Sequence, residues 1–367
     1  MTLPTNKIIC GDSLEVMKGW LDGCVDCCVT SPPYWGLRDY GVEGQMGLEK
    51  TPEEFVEKMV AVFREVKRVM ADHGTLWLNL GDSYAGGGRG CDTPKQQSNK
   101  GSRNMPKSIV PQGLNPKDLV GIPWMVAFAL RADGWYLRQD IIWSKPNPMP
   151  EPVRDRCTKA HEYLFLLSKS PKYYYDKEAI KEDSVYPAAQ YPKRNKRSVW
   201  TIPTRPSPEA HFATFPENLI EPCILAGVPI EVCAKCGQPR ERIISPSEQY
   251  KKLLGQDLMK KNEHVKDDIL SKGMCMETKP PACADYETIG WTNCNCEAGF
   301  RNGIVLDPFM GSGTVGYVAA CNQRNWAGIE LNPEYIEMAM RRINSAELGV
   351  PVNEQRSGQL ALFGEKE

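Results

Sequence analysis

The sequence predicts an α/β fold: a doubly wound sheet with helices on both faces and a cysteine-rich subdomain inserted into it. Three observations predict it. Strand-like and helix-like segments alternate along the chain. A G-x-G-x-x-G loop sits between a strand and a helix near residue 311. Paired cysteines then flank a charged stretch before that loop, where the core pattern lapses.

Taken in order, "KIIC" (7–10) reads as a strand, followed by a Gly-Asp turn and a helix that Ser13 is placed to cap. "VDCCVT" (25–30) is a second strand. In 51–70 the apolar residues Phe55, Val56, Met59, Val60, Phe63, Val66 and Met70 mark one face of a helix, opened by Thr51-Pro52-Glu53-Glu54. "GTLWLNLGDSY" (74–84) is another strand. Residues 85–118 form a loop too long to be a plain connector. A helix over 119–135 and strands over 136–146 and 162–170 follow, then a basic, aperiodic stretch at 176–207 and a helix at 216–227. The core pattern resumes at 303–343 with strand, glycine loop, helix, strand and helix. The implied organisation is a core of 1–230 and 300–346, an inserted segment 231–299, and a tail 347–367.

Composition narrows the class. Hydrophobic residues at 41% and charged residues at 25% suit a soluble globular chain. The N-terminus "MTLPTNKIIC" lacks the basic and apolar regions of a signal peptide, so a cytoplasmic location is expected. Fourteen cysteines in such a chain imply reduced thiols, some of them binding metal, rather than a disulfide scaffold. The net charge of −1 hides two basic patches. Residues 89–107 hold Arg89, Lys95, Lys100, Arg103 and Lys107 against Asp92 alone. Residues 193–205 hold Lys193, Arg194, Lys196, Arg197 and Arg205 with no acid. Two such patches imply a polyanionic partner.

The loop "DPFMGSGTVG" (307–316) places Gly311, Gly313 and Gly316 between strand and helix. Glu330 follows about 20 residues later, where an acid accepts hydrogen bonds from ribose hydroxyls. That pattern alone fits a nicotinamide-dependent oxidoreductase. Asp307, just before Pro308 and Phe309, argues otherwise: a carboxylate at the charged end of the ligand repels a pyrophosphate and welcomes the ammonium and sulfonium of S-adenosylmethionine.

A methyl donor also gives a purpose to "TSPPYW" (30–35). An exocyclic amino group on a base is a poor nucleophile, because its lone pair is delocalised into the ring. The Ser31 hydroxyl and the Pro32 carbonyl are two acceptors that can draw its protons toward tetrahedral geometry, with Pro32 and Pro33 stiffening the loop. Tyr34 offers a face for stacking, and a base in a duplex must be flipped out to reach it.

These two segments resemble the DNA amino-methyltransferases: "TSPPYW" is similar to their catalytic motif and "DPFMGSGTVG" to their cofactor loop. The order, catalytic motif first, is that of the circularly permuted beta group. The resemblance implies a Rossmann-like fold and methyl transfer from S-adenosylmethionine to a flipped base in double-stranded DNA, in a bacterial or phage setting. It implies cofactor contacts from Asp12 in "CGDSL", from Asp307, Pro308, Phe309, Gly311, Gly313, Thr314 and Glu330, and from Thr214 and Pro216 in "HFATFPENLI". The last segment departs from the family at Phe212, where proline is common. Serine at position 31 favours N4 of cytosine over N6 of adenine within the family, with adenine kept as the alternative. An RNA substrate and an inactive DNA-binding module are further readings. A homodimer is also implied.

Cys233 and Cys236 in "CAKC" and Cys294 and Cys296 in "CNC" form two close thiol pairs suited to a tetrahedral structural zinc, with Cys275 and Cys283 as reserve ligands. Arg103, Arg194 and Arg197 are candidates for DNA contact. The tail residues Gln359, Leu360, Leu362 and Phe363 resemble the peptide by which bacterial DNA enzymes bind the replication sliding clamp.

Overall fold

In the computed structural model the described residues are 3–37, 41–86, 110–183, 193–204, 215–248, 251 and 286–348. The first half of the chain forms β1 (Lys7–Cys10), α1 (Ser13–Lys18), β2 (Val25–Thr30), α2 (Pro52–Val69), β3 (Met70–Leu80), α3 (Ile122–Ala132), β4 (Tyr136–Ser144) and β5 (His161–Ser168). The short strands β6 (Glu182–Asp183), β7 (Lys193–Arg194) and β8 (Val199–Thr201) precede α4 (Glu217–Gly227). Then come β9 (Glu231–Cys233), β10 (Arg242–Pro246), β11 (Tyr286–Trp291), β12 (Phe300–Asn302), β13 (Ile304–Asp307), α5 (Thr314–Cys321), β14 (Asn325–Glu330) and α6 (Pro333–Leu348).

Eight strands make one sheet in the order β1-β14-β13-β2-β3-β5-β4-β8. The strands from β1 to β3 run parallel, and β5 is antiparallel to both β3 and β4. β2 is buried on both faces at all six positions, so its mostly apolar sequence does not alternate, and Asp26 is its one buried charge. Alternation divides those residues between two layers. Cys28, Leu76, Leu78 and Leu306 pack with Met17, Phe55, Phe63 and Val126 of α1–α3. Cys27, Val29, Trp77 and Val305 pack with Leu219, Ile224, Val315 and Ile343 of α4–α6. The doubly wound sheet with two helical layers is thus present.

Local chemistry sets the element ends. Thr51 caps α2 by accepting from the Glu54 amide at 3.1 Å, and Pro52 occupies the first turn, where a missing N–H costs nothing. At α1 the cap is Asp12, which accepts from the Glu15 amide at 3.1 Å. Ser13, expected to be the cap, is the first helical residue, and its hydroxyl donates to the Pro308 carbonyl. β3 ends at Leu80 rather than Tyr84, so Gly81 begins the loop. The basic stretch 176–207 holds β8, which extends the sheet by pairing parallel to β4. Its anchor is Trp200, 5% exposed, in a strand too short to show periodicity.

The inserted segment opens with β9, which pairs antiparallel with β12, and contains the antiparallel pair β10–β11. Arg301 of β12 ties it to the core through both oxygens of Asp26 on β2, at 2.6 and 3.2 Å. The Ile304 amide donates to the same carboxylate at 2.8 Å, and His73 Nε2 lies 3.2 Å from it. Burial alone would raise the Asp26 carboxyl, but His73 and Arg301 outweigh it and hold it below the usual range.

Candidate active site

Neighbouring β13 and β2 send the chain in opposite directions across the sheet, β13 through α5 to β14 and β2 through α2 to β3. Such a switch point opens a crevice beyond the carboxyl ends of the strands. A solvent-open cleft of about 720 Å³ lies there, lined by the residues that follow four parallel strands. Gly11 and Asp12 follow β1, Ser31 and Pro33 follow β2, Pro308, Phe309 and Gly311 follow β13, and Glu330 ends β14. The glycine loop and the Ser-Pro-Pro loop, far apart in sequence, thus face one space.

The cleft carries acids and no base: Asp12 and Glu330 line it, and no Lys, Arg or His does among the described residues. Glu330 Oε2 accepts from the Gly311 amide at 2.7 Å and Oε1 from the Asn332 amide at 2.9 Å. Each oxygen keeps a lone pair for a ligand hydroxyl. Burial raises the Glu330 carboxyl, partly offset by the Asn332 and Gly311 amides.

Several expected cofactor residues sit elsewhere. Asp307 is 1% exposed and does not line the cleft. It accepts from the Thr30 hydroxyl at 2.7 Å and from the Phe309 amide at 3.0 Å, tying the two loops together from below. Burial pushes its carboxyl up to about 7. Gly313 takes a left-handed φ of 77° at the start of α5, and a Cβ there would lie 2.8 Å from that of Ala339, so it serves packing. Thr314 is buried and accepts from Arg342 at 2.9 Å. Pro216 begins α4 without lining the cleft. Thr214 lies outside the described residues, as do Arg103, Cys275, Cys283 and the tail residues Gln359 to Phe363.

Beside the cleft, Ser31 and Tyr34 belong to a network that the local sequence did not reveal. Ser31 Oγ lies 3.3 Å from Asn79 Oδ1 and 3.5 Å from the Tyr34 hydroxyl. The Tyr34 hydroxyl is 3.1 Å from Asn79 Oδ1 and 2.8 Å from Glu162 Oε2, and Glu162 pairs with Lys145. Gly81 passes directly beneath the ring: a Cβ there would lie 2.5 Å from Tyr34 Cε2. One signal was available, a polar residue inside the buried strand "LWLNL". Glu162 and Lys145 had none, since they join Tyr34 only through sheet pairing.

Arg194 and Arg197, the candidates for DNA contact among the described residues, both donate to Glu182 at 2.9 Å. The acid lies within the 176–207 stretch but ahead of the 193–205 patch, so the patch is partly neutralised. Cys233, Cys236, Cys294 and Cys296 do converge, with all four sulfurs within 4.8 Å of one another. The Cys236 and Lys235 amides pull the Cys233 thiol down to about 6. No described helix is long and apolar enough to cross a membrane.

A Rossmann-like sheet with an acidic cleft beside a Ser-Pro-Pro-Tyr loop suits a methyltransferase, and comparison with known proteins gives the family. Residues 25–231 and 291–341 match the DNA methylase family of N6 and N4 amino-methyltransferases. The chain is 42% identical to the Type II methyltransferase M.Cfr9I of Citrobacter freundii over 93% of its own length and 88% of that protein. It is also 42% identical to the Type II methyltransferase M.SmaI of Serratia marcescens, over 92% and 90%. Among solved structures, the PvuII DNA methyltransferase (cytosine-N4-specific) aligns over 98% of this chain and 95% of its own, with TM-score 0.54 and 16% identity. A putative DNA modification methylase of Thermus thermophilus, complexed with S-adenosyl-L-methionine, aligns over 94% and 95% with TM-score 0.51 and 20% identity. The chain belongs to the DNA methylase family and is a DNA amino-methyltransferase. That membership leaves the nicotinamide reading without support.

Proposed function

We propose that this enzyme transfers a methyl group from S-adenosylmethionine to N4 of a cytosine flipped out of duplex DNA. The carrying observation is the charge of the cleft: Asp12 and Glu330 line it with no cation, which suits a sulfonium and an α-ammonium and opposes a pyrophosphate. When bound, S-adenosylmethionine supplies an electrophilic methyl carbon on positively charged sulfur. Glu330 is placed to hold the ribose hydroxyls, and Gly311 gives close access to the backbone. Ser31 lines the same cleft, within reach of an amino group brought to that carbon. Its oxygen and the Pro32 carbonyl draw the amino protons, which localises the lone pair on nitrogen for attack. The nitrogen–carbon bond would form as the carbon–sulfur bond breaks, leaving S-adenosylhomocysteine as a neutral thioether, and the surplus proton would pass from the nitrogen to solvent in the open cleft. Tyr34 is the stacking face. Two supports favour cytosine: Ser31 at the first motif position, and fold similarity to a structure described as cytosine-N4-specific.

Calorimetry with the free ligands tests the donor. S-adenosylmethionine is expected to bind and NAD not to; NAD binding without S-adenosylmethionine binding would overturn the reading.

We further infer that Cys233, Cys236, Cys294 and Cys296 hold one structural zinc. Four thiols clustered this closely fit a tetrahedral site, and the Lys235 amide nitrogen lies 3.5 Å from Cys233 Sγ, a donor that favours thiolate. Methyl transfer needs no activated water, so the role is to fix the insert. Metal analysis should find about one zinc per chain. Fully active, metal-free protein would exclude the site.

A further inference from the structure

The direction in which the Ser31 hydroxyl points its proton follows from its neighbours. Asn79 is 1% exposed, and its Nδ2 is 3.0 Å from the Tyr163 carbonyl on β5. A carbonyl only accepts, so the amide must turn its nitrogen to Tyr163 and its oxygen to Ser31 and Tyr34. That oxygen also only accepts, so a hydroxyl bonded to it must donate. Two hydroxyls approach it, but Tyr34 has a better acceptor. Glu162 is nearer, at 2.8 Å against 3.1 Å, and is ion-paired with Lys145. A charged acceptor takes the Tyr34 proton. Asn79 Oδ1 is then left for Ser31.

We propose that Asn79 is a positioning residue that draws the Ser31 proton inward, so that Ser31 faces the cleft as an acceptor only. Glu162 and Lys145 assist by turning the Tyr34 proton away from the same oxygen. The polarity matters. A serine free to rotate also points its proton at the amino nitrogen, engaging the lone pair that must attack. Asn79 removes that orientation before DNA arrives.

The inference rests on the functional reading above. Its test is single-turnover methyl transfer to unmethylated genomic DNA at saturating S-adenosylmethionine, with excess enzyme. Asn79→Leu keeps the size and removes the acceptor, and is expected to slow transfer roughly tenfold, the worth of one hydrogen bond, with donor affinity unchanged. Asn79→Asp should stay within about threefold of wild type, because a protonated carboxyl can donate to Tyr163 and accept from Ser31. In a Ser31→Ala background Asn79→Leu should cost nothing further, since it acts through the missing hydroxyl. Equal slowing in both backgrounds, or no slowing in either, would overturn the inference. Wild-type protein that transfers no methyl to DNA would overturn the functional reading, and this inference with it.

Discussion

Asp307 shows how far position alone decides what a charged residue does. Ahead of the glycine loop, it lies under that loop instead of in the cleft, bonded to Thr30 and the Phe309 amide. Its folded value of about 7 stands above the unfolded carboxyl range because burial disfavours the charged form. Between roughly pH 4 and 7 the folded state therefore holds a proton that the unfolded state has released, so stability falls as pH rises through that window. Asp307→Asn keeps the oxygen that accepts from Thr30 and Phe309 without the buried charge. Thermal melts should show it stabilised relative to wild type at pH 8, with the difference shrinking toward pH 4; a pH-independent difference would contradict this. Single motifs placed Ser31, Gly311 and Glu330 at the cleft and Tyr34 beside it, because loop chemistry at a strand end is local. Asn79, Glu162 and Lys145 were illegible, because their roles come from strands paired across the sheet.

Among elements, the link between β2 and β12 carries most consequence. Asp26 is fully buried one strand away from the glycine loop, and Arg301 grips it with two nitrogens. Arg301→Ala leaves a buried carboxylate short of its partner, a change that costs about 3–5 kcal/mol. Denaturant unfolding should show that loss, and Arg301→Ala with Asp26→Asn together should recover part of it. An unchanged midpoint for Arg301→Ala would mean the pair contributes little. Helices such as α2 were legible from spacing and capping residues, with ends moved by one residue. β8 was not legible: three residues carry no period, and what holds it is burial of Trp200 against the sheet edge. The cap of α1 moved from Ser13 to Asp12 because the serine hydroxyl found the Pro308 carbonyl.

At the scale of the molecule, topology brings the two motif loops to one cleft, which the proposed function assigns to both donor and acceptor. The Ser-Pro-Pro loop and the glycine loop leave adjacent strands β2 and β13 at the switch point, so both line one cleft, where the proposed reaction would bring donor and base together. The doubly wound sheet was legible because alternation of elements reports layers directly. The acidity of the cleft was legible in kind, though its carriers proved to be Asp12 and Glu330. The partial neutralisation of Arg194 and Arg197 was not, since Glu182 meets them only through the antiparallel pairing of β6 with β7. The central claim, amino methylation of cytosine in DNA, is tested most directly by the product. Purified enzyme is incubated with S-adenosylmethionine and unmethylated genomic DNA, and the DNA is digested to nucleosides for mass spectrometry. The account predicts N4-methylcytosine; N6-methyladenine, or no methylated nucleoside, would contradict it.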